Sequence, residues 1–247
     1  MLPQIVLGLA VIVILAAVFV GMIWWAYLRA KNRQNEIEAL GFNRWLDVDA
    51  SFIRSVCSLV LGPYPERLGV ERAFRRLLPD KQLVIFDLVE KFGYELNSRR
   101  YEFAVYLPDE DLPEFRVIPR PNEFGKGALA NSARITVKGL VKYAINRPGE
   151  KQLDFSDLPG IGERFFISAR DEERACLVLT ANRLEHLIKL PPGIMLQVGG
   201  SVILIDRLGV MADRSHWQQH MSEMIDLADQ VAQILHDRSR PVPGMKG

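Results

Sequence analysis

Apolar and polar positions change their period several times along this chain. The run Ile5–Leu28 (IVLGLAVIVILAAVFVGMIWWAYL) holds no charged residue. Its 24 residues predict a helix about 36 Å long, enough to cross a hydrocarbon core of about 30 Å with some tilt. Lys31–Leu40 continues that helix, and Gly41 is placed to stop it. Between Trp45 and Leu61, Phe52, Val56, Leu59 and Val60 recur at helical spacing until Gly62-Pro63-Tyr64-Pro65 breaks the pattern. Glu66–Leu78 reads as an amphipathic helix, with Leu68, Val70, Phe74, Leu77 and Leu78 on one side. Its other side carries Arg67, Arg72, Arg75 and Arg76.

The period then shortens. Gln82–Phe92, Arg99–Leu107 and Glu114–Pro119 are β-branched and aromatic runs separated by turn formers, which predicts an antiparallel meander. Arg100, Glu102, Ala104 and Tyr106 alternate with Tyr101, Phe103, Val105 and Leu107, the pattern of a half-buried strand. Asn122–Ser132 is glycine-rich and reads as a loop, and its sequel to Pro148 fits either a strand or a helix. Arg164–Ala169 predicts a strand, Asp171-Glu172-Glu173 a helix start, and Thr180 the cap of a helix reaching Leu190. Gly199-Gly200 between Ile194–Val198 and Ser201–Asp206 signals a hairpin. A last helix, Asp213–Asp237, repeats Trp217, Met221, Met224, Ala228, Val231 and Leu235 at alternating four and three. That seam suits docking on the chain's own sheet better than a coiled coil. The organisation expected is an anchor at 1–28, a juxtamembrane helical region at 29–81, a β-meander unit at 82–150, a β-α-β-β-α unit at 151–238 and a flexible tail at 239–247. The fold class expected is α+β.

Charge sharpens the first element. Before Arg29 there is no Asp, Glu, Lys or Arg, whereas Arg29, Lys31 and Arg33 follow the apolar run directly. A cleaved signal peptide would need a basic start, a shorter apolar core and a small-residue cleavage site. The flanks, with Trp24, Trp25 and Tyr27 at the exit, predict an uncleaved single-pass anchor in the inner membrane. The same flanks predict the N-terminus outside and the remainder in the cytoplasm. Cys57 and Cys176, far apart and in apolar surroundings, read as reduced, buried thiols rather than a disulfide. The whole chain carries a formal charge of only +1, which excludes nucleic-acid binding by bulk positive potential. The stretch 29–81 is locally basic, and Arg67, Arg72, Arg75 and Arg76 are candidate lipid-facing residues, each worth about 1 kcal/mol at an anionic surface.

No catalytic signature emerges. His216 and His220 sit four apart, yet Trp217 stands where a zincin needs glutamate. Asp47, Asp49 and Ser51 resemble the start of a calcium loop, but Phe52 and Ser58 occupy the positions that require Gly and Glu. Gly125-Lys126-Gly127 is a fragment of a phosphate loop without its Ser or Thr. No catalytic, cofactor or metal residue is therefore assigned. Two classes of function remain: a membrane-anchored module binding a protein partner or the lipid surface, and an enzyme with a site lacking any local motif. The missing His, Cys and carboxylate constellation favours the first.

Two segments carry a family resemblance: Leu83–Phe92, with Phe86-Asp87, and Arg99–Pro119, ending in Asp111-Leu112-Pro113-Glu114-Phe115-Arg116-Val117-Ile118-Pro119. With Phe165–Glu172, they resemble an uncharacterised family of bacterial single-pass membrane-anchored proteins. Leu88 departs from that family's more common aromatic, and no His-Arg-Gln-Thr stretch precedes Tyr106. The resemblance implies an architecture, a strand followed by an acidic helix start included, and assigns no activity.

Overall fold

The computed structural model describes residues 2–60, 68–92, 95–155, 157–158, 160–208 and 217–236, the side chains of 2–14, 29 and 90–101 excepted. The chain divides into two compact units, Met1–Asn43 and Arg44–Gly247.

The first unit is the helix α1 (Leu2–Ala39). Gly41, at φ 84°, ends it as expected. The Gly41 N–H donates to Glu38 at 2.9 Å and that of Phe42 to Ile37 at 3.4 Å, satisfying the last carbonyls. Among the described residues no helix is long and apolar enough to cross a membrane. The run expected to span one lies on α1, and its side chains through residue 14 lie outside the described residues.

Among the described residues, the second unit is built on one nine-stranded sheet. Its strands are β1 (Asn43–Arg44), β2 (Leu68–Leu77), β3 (Gln82–Phe92), β4 (Glu95–Tyr106), β5 (Leu112–Pro119), β6 (Lys151–Gln152), β7 (Phe165–Ala169), β8 (Ile194–Gly200) and β9 (Val202–Arg207). They lie in the order β1-β2-β3-β4-β9-β8-β5-β7-β6, and β2 through β9 pair antiparallel. The expected α+β class is thus what the chain adopts. The two expected units 82–150 and 151–238 are not separate, because β5 sits between β8 and β7 and the strands of both stretches interleave in one sheet.

Helices cover both faces. On one, α2 (Ala50–Leu59) lies over β2, β8 and β9. It packs Phe52, Val56 and Leu59 with Trp45 against Val84, Phe86, Ala104, Tyr106, Val202 and Leu204. Each such side chain, fully buried, contributes about 1.5–3 kcal/mol. On that same face α3 (Ala128–Asn146) sets Ala133, Val137 and Ala144 against Ile118, Phe166 and Met195. Helices α4 (Ile161–Arg164), α5 (Glu172–Val178), α6 (Ala181–Ile188) and α7 (Trp217–His236) complete the unit, and α7 packs on β4 and α6. Its Met221, Met224, Ala228, Val231 and Leu235 are buried, so the expected seam does dock on the chain's own sheet. Asp171 caps α5, accepting from the Arg174 N–H at 3.0 Å. Thr180 precedes α6 as expected but makes no side-chain capping bond. The start of the predicted last helix at 213–216 and the tail 239–247 lie outside the described residues.

Three expectations are corrected. The predicted helix Glu66–Leu78, and with it an all-helical 29–81, is replaced by strand β2. The register of β2 against β3 shifts between Glu71 and Phe74, and Arg72 there is the only described non-glycine residue at positive φ, 44°. This bulge adds a residue, so Val70 and Ala73 share a face at a spacing of three, which imitates helical periodicity. Second, β4 is not half-buried. Glu102 to Leu107 are buried on both faces, because the strand is central and flanked by helices on either side. Third, the expected loop 122–132 already enters α3 at Ala128. Of the two readings open for the sequel to Pro148 the chain adopts the helix, where packing of the small-residue face outweighs the β propensity of Ile135, Thr136, Val137 and Val141.

The hairpin forms, with its glycines in different roles from those expected. Gly199 pairs with Val202 inside the ladder, leaving Gly200-Ser201 as the loop, and the positive φ of 57° falls on Gly200. A Cβ on Gly199 would approach Leu59 Cδ2 to 2.8 Å, so that glycine admits α2 to the sheet. Gly200→Val should cost about 1–2 kcal/mol of unfolding free energy for the left-handed backbone, and Gly200→Asn clearly less. Urea titration checks this, and equal losses would contradict the turn assignment.

Candidate functional site

Of the four arginines expected to share a lipid-facing helix side, the three that are described do not do so. Arg67 lies outside the described residues. On β2 the others are divided between environments. Arg72, at the bulge, grips the buried Asp87 through Nε at 2.7 Å and through Nη2. Arg75 lies with its guanidinium 4.9 Å from the centroid of the Trp45 ring, a cation–π contact. Arg76, opposite Leu83, points to the other face from Arg75. A strand sends successive side chains to alternate faces, so the single arginine surface read from the sequence is a correction. The Asp87 of the Phe86-Asp87 motif is a structural acceptor for Arg72.

The densest set of charged groups lies elsewhere. Glu114 and Arg116 alternate with Phe115 and Val117 on β5, so both turn to the α2–α3 face. The register sets Arg116 opposite Ser168 of β7. The Arg116 side chain is fully buried, as is that of Glu150. Its Nη1 donates to both oxygens of Glu150 at 2.6 Å. Its Nη2 donates to Glu114 Oε1 at 2.7 Å and to the Leu59 carbonyl at 3.1 Å. Ser168 Oγ donates to Glu150 at 2.7 Å. Arg147, just past α3, donates to the Ser58 carbonyl at 2.6 Å and pairs with Glu114 at 3.2 Å, as does Arg170.

Two arginines therefore meet the last carbonyls of α2, where the helix dipole favours cations. Burial pushes the Glu114 carboxyl above the ordinary glutamate range, with Arg116 and Arg170 pulling down and Glu150 pushing up. Glu150 accepts from Arg116 and Ser168, which suits a clasp joining helices to sheet. Sequence reasoning missed this cluster. The available signal was a Glu-x-Arg pair within the apolar strand 112–119, whose flanking residues leave no polar face for it.

The remaining sequence candidates are also structural. Asp49 caps α2, accepting from the Ser51 N–H and Oγ, both at 2.9 Å, and from the Tyr106 hydroxyl at 3.1 Å. These bonds, the Ser51 amide first, hold its carboxyl below the ordinary aspartate range. The Gly125-Lys126-Gly127 segment is tied down by Arg134, which donates to the carbonyls of Phe124 at 2.7 Å and Gly125 at 2.9 Å. His216 lies outside the described residues. Desolvation lowers the pKa of His220, and Arg207 adds to the effect. No group of three His, Cys, Asp or Glu fit to hold a metal occurs among the described residues. Both cysteines are free, but only Cys57 is partly buried, its thiol pushed up by burial. Cys176 is exposed, which corrects its reading as a buried thiol.

No family model matches the chain, and no curated protein does. Among solved structures the chain is similar to the mycobacterial trehalose monomycolate transport factor A, TtfA, with a TM-score of 0.45 at 14% identity. The alignment covers 87% of this chain and 97% of that one.

Asp49, with its lowered pKa, contributes stability that is present above the unfolded-state value and lost as pH falls through the folded-state value. Asp49→Asn should therefore lower the urea midpoint at pH 7, and the difference from the parent should close in acid. A difference independent of pH would contradict the assignment.

Proposed function

We propose that this chain is a single-pass membrane-anchored α+β module whose large unit is cytoplasmic and binds a protein partner or the membrane surface. The observation that carries the reading is the surface of α1 from Leu15 to Leu28. All of its side chains are exposed, and Val18, Phe19, Val20, Met22, Ile23, Trp24 and Trp25 stand on every side of the helix. A helix that is apolar all round is stable where hydrocarbon surrounds it. The tryptophans and then Arg29, Lys31 and Arg33 mark its exit toward the cytoplasm. The family resemblance agrees with this topology.

Cys176, being exposed, reports the side of the membrane. A membrane-impermeant maleimide should leave it unlabelled in intact cells and label it after lysis. Labelling in intact cells would overturn the topology.

A further inference from the structure

We infer that the outward face of α3 docks on an anionic lipid surface, an inference that rests on the membrane-anchored reading and names the surface involved. Of the seven large apolar side chains exposed in the second unit among the described residues, four lie on this one helix: Leu129, Ile135, Tyr143 and Ile145. Ile135, at 73% exposure, points straight away from the buried Ala133, Val137 and Ala144. Ile135, Lys138, Lys142 and Ile145 recur at steps of three, four and three, which lines them up along one stripe.

The charge along this segment has a single sign. No Asp or Glu occurs between Glu123 and Glu150. Of its five basic residues, Arg134 is turned onto the carbonyls of Pro121, Phe124 and Gly125, and Arg147 onto Ser58 and Glu114. Lys126, Lys138 and Lys142 remain, all exposed. Exposed isoleucines set among lysines, with no acid to repel phosphate, suit the headgroup layer. There the apolar side chains enter the acyl boundary and the ammonium groups meet anionic lipid. Of the β2 arginines that the sequence offered for this role, Arg72 is held by Asp87 and Arg75 lies over Trp45, and α3 takes the role over.

The test uses the full chain with Cys57 and Cys176 replaced by serine. An environment-sensitive fluorophore is placed at Ile135→Cys, and a control at Leu177→Cys, an exposed residue of α5. Each is reconstituted into phosphatidylcholine vesicles with and without phosphatidylglycerol. The probe at 135 should shift to the blue with phosphatidylglycerol only, lose that shift in Lys138→Gln/Lys142→Gln and as salt rises, and the probe at 177 should stay unshifted. Equal emission at 135 in both vesicle types overturns the docking, the outcome expected if this face serves a protein partner instead. A shift that survives the lysine substitutions, or that appears equally at 177, also overturns it. Failure of the chain to float with either vesicle after a high-salt wash overturns the anchor reading instead, and the docking with it.

Discussion

The architecture of the large unit turns on a guanidinium with no access to water. Arg116 heads the fully buried side chains by volume, and an ion in such a site is tolerated only when it is paired and hydrogen-bonded; both Nη atoms are, and Nε is left without a partner. The acceptors come from three parts of the chain: Glu150 from the α3–β6 connection, Glu114 from β5 and the Leu59 carbonyl from the end of α2, while Ser168 of β7 donates to Glu150 in turn. None of these partners is adjacent in sequence to another except through the strand alternation of Glu114 and Arg116. The pair therefore specifies where two helices end on the sheet, a geometric role that a purely apolar contact would define less sharply.

Around this clasp the rest follows from burial on both faces. Strand β5 lies between β8 and β7, so the residues that hold the clasp sit deep in the sheet and away from its edges. Gly199 lets Leu59 come close to the same region. This brings the Leu59 carbonyl within reach of Arg116. The aromatic group Trp45, Phe52, Phe86 and Tyr106, with ring centroids 5.2–6.0 Å apart, fills the other half of the α2 face. The Arg116–Glu150 pair is buried inside the unit, while α3 carries Leu129, Ile135, Tyr143 and Ile145 among the exposed large apolar side chains.

Much of this was legible in the sequence. The strands at 82–92 and 165–169, the helix around Phe52, Val56 and Leu59, the stop at Gly41 and the docked seam of the last helix all follow from local periodicity and turn chemistry. What escaped was non-local or masked by an irregularity. The bulge at Arg72 gave β2 a false helical spacing. The burial of β4 on both sides depends on helices far away in sequence. The partners of Arg116 lie 34 and 57 positions distant, where no spacing rule reaches. The arginines read as one surface only on a helix, and strand β2 divides Arg72, Arg75 and Arg76.

The central claim is that Arg116 and Glu150 act as one unit that fixes the helices on the sheet. A double-mutant cycle with Arg116→Met, Glu150→Met and the pair, followed by urea unfolding, measures it most directly. Each single substitution strands a buried charge and should cost about 3–5 kcal/mol, and the double variant should fall well short of the sum, because it strands neither. Single losses within about 0.5 kcal/mol, the range of ordinary surface changes, or strictly additive losses, would contradict the account.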